Sequence, residues 1–189
     1  MLILASASPR RLQLLSEAGV VCTVDAANID ETPWPGESPR QHVERLAREK
    51  ALAVCTRHPG RLVLGADTVV VVGDEILGKP VDADDARRML GLLSGRAHVV
   101  MTAVAVARDG RIASTVENTA VEMRDISAAE VAEYVAGGEP MDKAGAYAIQ
   151  GGAAAFVCRV SGSFDTVVGL PVAVALDLLN SYSEPYSER

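Results

Sequence analysis

The sequence is short of the residues that several common chemistries need. Its cysteines, Cys22, Cys55 and Cys158, are few, odd in number and far apart, and His42, His58 and His98 are equally dispersed. Such spacing offers no disulfide framework, no zinc site and no Cys–His nucleophile system. Aromatics make up only 4% of the chain, too few for a platform that stacks the bases of a single strand. No apolar run approaches the roughly 20 residues of a membrane-spanning helix. The N-terminus reads as a strand, without a basic leader and small-residue cleavage site, so no signal peptide is expected and cytoplasmic is the default location. Positive charge is also scarce. The net charge of −7 disfavours nucleic-acid polymers and membrane surfaces, which attract basic proteins. Of 18 Lys plus Arg, only Lys50, Lys79 and Lys143 are lysines. Against that arginine bias, a lysine points to a place where a compact charge is wanted.

What remains is an ordinary globular balance. The 189 residues, 49% hydrophobic and 23% charged, suffice for one large domain or two lobes with a core. The chain opens with an apolar run, Leu2 to Ala5, fit for a buried strand. A helix follows with Leu12, Leu14 and Leu15 inward. Between them lies the turn SASPRR. Ser8 suits the N-cap and Pro9 the first helical position. The free N–H groups of that helix start favour an anion. Arg10 and Arg11 sit where a first turn normally prefers acids. The turn is either a phosphate cradle or a capped surface helix with solvated arginines.

Asp30 and Glu31 fall in a loop before Pro33-Trp34-Pro35-Gly36. They are either solvated loop acids or carboxylates poised over a site. Ser38-Pro39 starts a second helix, to about His58. At about 100° per residue, Lys50 falls in the middle of its apolar stripe of Val43, Leu46, Ala47, Ala51 and Val54. A lysine there either snorkels past the core or points at an anion. The run Leu62 to Val72 contains Gly65 and Asp67-Thr68. A carboxylate in such a run must be paired, hydrogen-bonded or metal-bound, so Asp67 is the leading catalytic candidate, or else a structural cap.

Gly73-Asp74 turns the chain into a hairpin that returns Lys79 towards the level of Thr68. Asp82 and Ser127 cap two further helices, the latter with Val131, Tyr134 and Val135 on its apolar face. Asp109-Gly110 signals a hairpin. Residues 140–152 are rich in small residues without a period, suiting a long loop or backbone lying close to a ligand. Residues 162–171 are turn-rich. A last helix begins at Val172, and residues 181–189 read as a frayed, flexible tail.

Taken together, SASPRR, RLAREKA, GADTVV, ILGKP, LSGRAHVVMTAV, DKAGAYAIQG and GSFDTVVGLP closely resemble the Maf family of nucleoside triphosphate pyrophosphatases, over nearly the whole chain except the tail. DKAGAYAIQG resembles the subgroup acting on dTTP and UTP. Ala7 stands where many members carry Gly. The resemblance implies an α/β fold related to that of inosine triphosphatases: an elongated mixed β-sheet with flanking helices, one domain of two lobes around a deep central cleft. It implies hydrolysis of a nucleoside triphosphate to the monophosphate and pyrophosphate, dependent on a divalent cation (Mg or Mn), and often a homodimer. By the same resemblance Asp67 matches the proton acceptor. Arg10, Thr68 and Gln150 match the specificity positions, and Ser6, Arg11, Glu31, Lys50 and Lys79 match other cleft residues.

Phosphoryl chemistry mainly needs positioning and charge neutralisation. Arg10, Arg11, Lys50 and Lys79 suit a triphosphate, and Glu31 and Asp67 suit the metal. Lys50 and Lys79 join Asp67 as the catalytic set. Asp67 is either the base or chiefly a metal ligand. The Gln150 amide can both donate and accept, as pairing with O4 and N3–H of a pyrimidine requires. One rival is a non-catalytic nucleotide-binding regulator of septum formation, which would not need Asp67. A nucleotidyltransferase would need a second substrate pocket, for which no motif is present.

Overall fold

In a computed structural model the described residues are 1–183. Strands β1 (Leu2–Leu4), β2 (Cys22–Val24), β3 (Val63–Val72), β4 (Glu75–Leu77), β5 (Ala97–Arg108), β6 (Arg111–Met123) and β7 (Val157–Ser161) form one sheet. Its order is β2-β1-β3-β5-β6-β7, with β4 paired to β3 off that path. Pairing is parallel between β1 and both β2 and β3, and antiparallel in β3–β4 and β6–β7. The sheet is therefore mixed, as expected. Helices α1 (Pro9–Glu17), α2 (Pro39–Cys55), α3 (Ala83–Leu93), α4 (Ala128–Ala136), α5 (Phe164–Val168) and α6 (Val172–Ser183) flank it. The chain divides into two compact units. Among the described residues, one comprises 1–67, 102–117 and 169–183, the other 68–101 and 118–168.

The first unit buries Leu4, Leu15, Val43, Leu46, Val54, Val63 and Leu64 almost completely. Each such side chain contributes about 1.5–3 kcal/mol over leaving it exposed. Helix α2 starts where Ser38-Pro39 signals it. The Ser38 hydroxyl accepts from Gln41 N–H, and the Gln41 amide oxygen accepts from Ser38 N–H. The helix ends at Cys55, earlier than expected. Gly65 sets how closely β3 approaches α2. A Cβ there would lie 2.3 Å from the Ala47 carbonyl and 2.7 Å from the Ala51 nitrogen. Side chains two apart on a strand share a face, so Asp67 also faces α2.

Helix α1 begins at Pro9, but the Ser8 side chain makes no cap bond. Instead the Ser8 N–H donates to Ser6 Oγ at 3.2 Å. The turn is tightened from inside, and the side-chain cap that Ser8 suggested is not formed. Helix α6 continues through Ser183, so the first three residues of the expected tail are helical. Residues 184–189 of that tail lie outside the described residues.

In the second unit β3 and β4 pair with Val70 opposite Leu77 and Val72 opposite Glu75. Helices α3 and α4 carry the expected caps: Asp82 accepts from Asp85 N–H, and Ser127 forms a capping box with Glu130. The stretch without a period folds into three 3₁₀ turns, Glu139–Asp142, Ala144–Ala146 and Gly152–Phe156. Helix α5 occupies the turn-rich 162–171 segment. At five residues it is too short to show a helical period.

Candidate active site

On the first unit, α2 delivers Lys50 and β3 delivers Asp67 to one point. Lys50 Nζ lies 2.6 Å from Asp67 Oδ1 and 2.7 Å from Glu31 Oε1. Lys50 and Asp67 are 8% and 6% exposed, whereas half of the Glu31 side chain is open to solvent. The lysine on the apolar stripe therefore does not snorkel. It points at an anion, and that anion is a pair of carboxylates.

Glu31 is held in place from α2 as well. The Arg45 guanidinium donates to the Thr32 carbonyl at 3.1 Å and to Glu37 at 2.6 Å, and lies 4.2 Å over the Trp34 ring. Glu37 also accepts from Trp34 N–H at 3.1 Å. Chiefly through its bond with Arg45, the Glu37 carboxyl is drawn down to about 2. The loop of Glu31 is thus stapled to the helix that carries Lys50. Glu31, not Asp30, joins the cluster; the Asp30 carboxylate accepts from Thr32 N–H at 2.9 Å.

In the SASPRR turn, Arg11 acts as a tie. Its Nε donates to the Gly169 carbonyl at 2.8 Å, and its Nη1 to Ser6 Oγ at 3.0 Å and the Ala66 carbonyl at 2.9 Å. Ala66 precedes Asp67, so Arg11 fixes the backbone beside the carboxylate. Burial lowers the Arg11 pKa, Asp67 pulls it back up, and the neighbouring Arg10 lowers it further. Arg10 is half-buried beside it. The turn is therefore neither a bare cradle nor a merely solvated helix start.

Thr68, Lys79 and Gln150 belong to the second unit. Thr68 follows Asp67 on β3 and is half-buried, and Lys79 is exposed just after β4. Carried two residues further, the β3–β4 register sets Lys79 opposite Thr68. Gln150 is exposed at a corner of the turn closed by Gly151 N–H on the Ala148 carbonyl at 3.0 Å.

No group of three or more His, Cys, Asp or Glu suited to a metal occurs among the described residues. Glu31 and Asp67, which both meet Lys50 Nζ, are hard oxygen donors. Two carboxylates plus phosphate oxygens are what a small hard cation takes, without an all-protein cage. A separate groove of about 620 Å³ is lined by Trp34, Glu37, Gln41, Glu44, Arg45 and Arg48, among others. None of the residues selected from sequence lines it. No helix among the described residues is long and apolar enough to cross a membrane.

The sequence reading missed the supports of the site. Arg45 falls within RLAREKA, but neither it nor Glu37 was singled out as a site residue, and Tyr134 read as part of an apolar face. Its phenol was the available signal, because a buried tyrosine hydroxyl needs a partner.

Cations gathered around two carboxylates can neutralise a polyanion and move a proton beside it. The fold and this cluster define a mixed α/β protein with a buried group of opposite charges. The chain belongs to the Maf family: the family model described as "Maf-like protein" matches residues 1–182. It is 53% identical to a "dTTP/UTP pyrophosphatase" of Anaeromyxobacter sp. (strain Fw109-5), over 97% of this chain and 90% of that one. Proteins given the same name match at 52% in Myxococcus xanthus, over 98% and 94%, and at 48% in Symbiobacterium thermophilum, over 97% and 95%.

Proposed function

We propose that this protein is a nucleoside triphosphate pyrophosphatase that hydrolyses dTTP and UTP to the monophosphate and pyrophosphate. The observation that carries the mechanism is the buried Lys50–Asp67 pair with Glu31 beside it. The pyrimidine assignment draws on the relatives' names, at about half identity over nearly the full chain.

Arg10, Arg11 and Lys79 offset the charge of the triphosphate. Lys50 holds the Asp67 carboxylate in one orientation. Asp67 takes a proton from water as the water oxygen bonds to the α-phosphorus. The bond from that phosphorus to the α–β bridging oxygen breaks, and pyrophosphate leaves. Gln150, with Thr68, reads the base edge. Metal dependence belongs to the same reading: Glu31 and Asp67 would hold Mg²⁺ or Mn²⁺. When bound, such an ion supplies charge neutralisation at the phosphate oxygens.

The test is hydrolysis of dTTP by the purified protein in ¹⁸O-water. Attack at the α-phosphorus places the label in dTMP, with unlabelled pyrophosphate. Label in pyrophosphate, release of dTDP and orthophosphate, or no turnover with Mg²⁺ or Mn²⁺ would overturn the proposal.

A further inference from the structure

Gln150 sits on a turn whose two flanks are tied to one pair of side chains. Two residues before it, Ala148 N–H donates to Tyr134 Oη at 3.1 Å. Two residues after it, Gly152 N–H donates to Glu139 Oε2 at 3.0 Å. Burial is the main cause that raises the Tyr134 hydroxyl to about 12, and the nearby Glu139 carboxylate raises it as well. The fit is close: a Cβ on Gly151 would lie 1.4 Å from Glu139 Oε1. The Tyr134 ring meets Phe156 edge-on at 5.5 Å. A second tie holds the same segment, with Tyr147 Oη 2.8 Å from His98 Nε2.

We infer that Tyr134 and Glu139 form a clamp that positions Gln150, and that through it they set the preference for a 4-oxo over a 4-amino pyrimidine. The inference rests on Gln150 being the base-reading residue. Packing alone does not call for the Tyr134 hydroxyl, since phenylalanine would present the same ring to Phe156. The hydroxyl is used on the turn. Uracil and thymine offer an acceptor at C4 and a donor at N3, and cytosine reverses both. A turn free to shift lets the amide meet the base from several positions, including ones where its flipped form suits cytosine. Holding the N–H groups on both sides of Gln150 removes that freedom.

The experiment measures kcat and KM for dTTP, UTP and CTP in the wild type, Tyr134→Phe, Glu139→Gln, Glu139→Ala, Gln150→Ala and Tyr134→Phe/Gln150→Ala. Tyr134→Phe and Glu139→Ala should each lower the dTTP-to-CTP ratio of kcat/KM about fivefold or more, mainly through KM. Glu139→Gln should keep most of the ratio, because its amide oxygen can still accept from Gly152. Adding Tyr134→Phe to Gln150→Ala should change the ratio no further, an outcome that a general loss of stability would not produce. If Gln150→Ala loses the ratio while Tyr134→Phe and Glu139→Ala keep it, the clamp is overturned and the role of Gln150 stands. If Gln150→Ala keeps the ratio, the base-reading assignment fails and the clamp with it. Glu139→Ala leaves the ring packing of Tyr134 untouched, so it serves should Tyr134→Phe not fold.

Discussion

Lys50 Nζ and Asp67 Oδ1 lie 2.6 Å apart, both almost fully buried. Desolvation makes such a pair weak support for stability unless further groups satisfy it. Here Glu31 supplies a second carboxylate to the same ammonium, and Gly65 lets the helix come close enough for the reach. A pair kept in this setting is better explained by chemistry than by folding.

Asp67→Asn keeps the shape and removes the charge. Lys50 retains Glu31 at 2.7 Å, so the fold should survive. Turnover of dTTP should drop by about 10²–10⁴-fold, the usual contribution of a positioned base. Turnover within tenfold of wild type, in a variant with native circular dichroism, would contradict the role.

Lys50→Met leaves two carboxylates facing a thioether. Removing one partner of a buried pair costs about 3–5 kcal/mol, which urea unfolding would register. Adding Asp67→Asn should recover part of that loss, because the buried uncompensated charge is gone. Simple addition of the two single losses would show that the residues do not interact.

Arg11→Lys tests the tie in the first turn. An ammonium cannot reproduce the fork to Gly169, Ser6 and Ala66. An acceptor left unpaired costs about 1–3 kcal/mol, so Tm should fall and kcat with it. Unchanged Tm and kcat would show that the tie is dispensable.

His98 is 3% exposed, and burial lowers its pKa to about 4 from 6.5. Nε2 meets Tyr147, while Nδ1 has no partner among the described residues. The folded state favours neutral imidazole, so between pH 4 and 6.5 the unfolded chain binds more protons. Stability is fully present above about 6.5 and declines as pH falls towards about 4, by about 3 kcal/mol. Urea midpoints measured from pH 4 to 7.5 should show this slope, and His98→Gln should flatten it. An equal slope in the variant would assign it to other groups.

Much of the site was legible because its signals are local. The helical angle of Lys50, the acid inside LVLGADTVVVV and the Ser38-Pro39 start each depend on a few neighbouring residues. That Asp67 and Glu31 both meet Lys50 was not legible. Glu31 comes from a loop without a period, and its reach depends on the Arg45–Glu37 staple, which only tertiary packing creates. Residues 139–156 failed to read for the same reason. Their 3₁₀ turns follow contacts such as Ala148 to Tyr134 and carry no repeat of their own. Ser8 misled in detail, because its hydroxyl makes no cap bond and its N–H turns instead to the Ser6 hydroxyl.

The most direct test of the account is kcat/KM for dTTP, UTP, CTP, dATP and GTP under one metal condition. Mismatching a buried polar group costs about 1–3 kcal/mol, or roughly five- to a hundred-fold in specificity. The account predicts that dTTP and UTP exceed CTP and both purine nucleotides by that margin. Equal or faster turnover of CTP, dATP or GTP would contradict it.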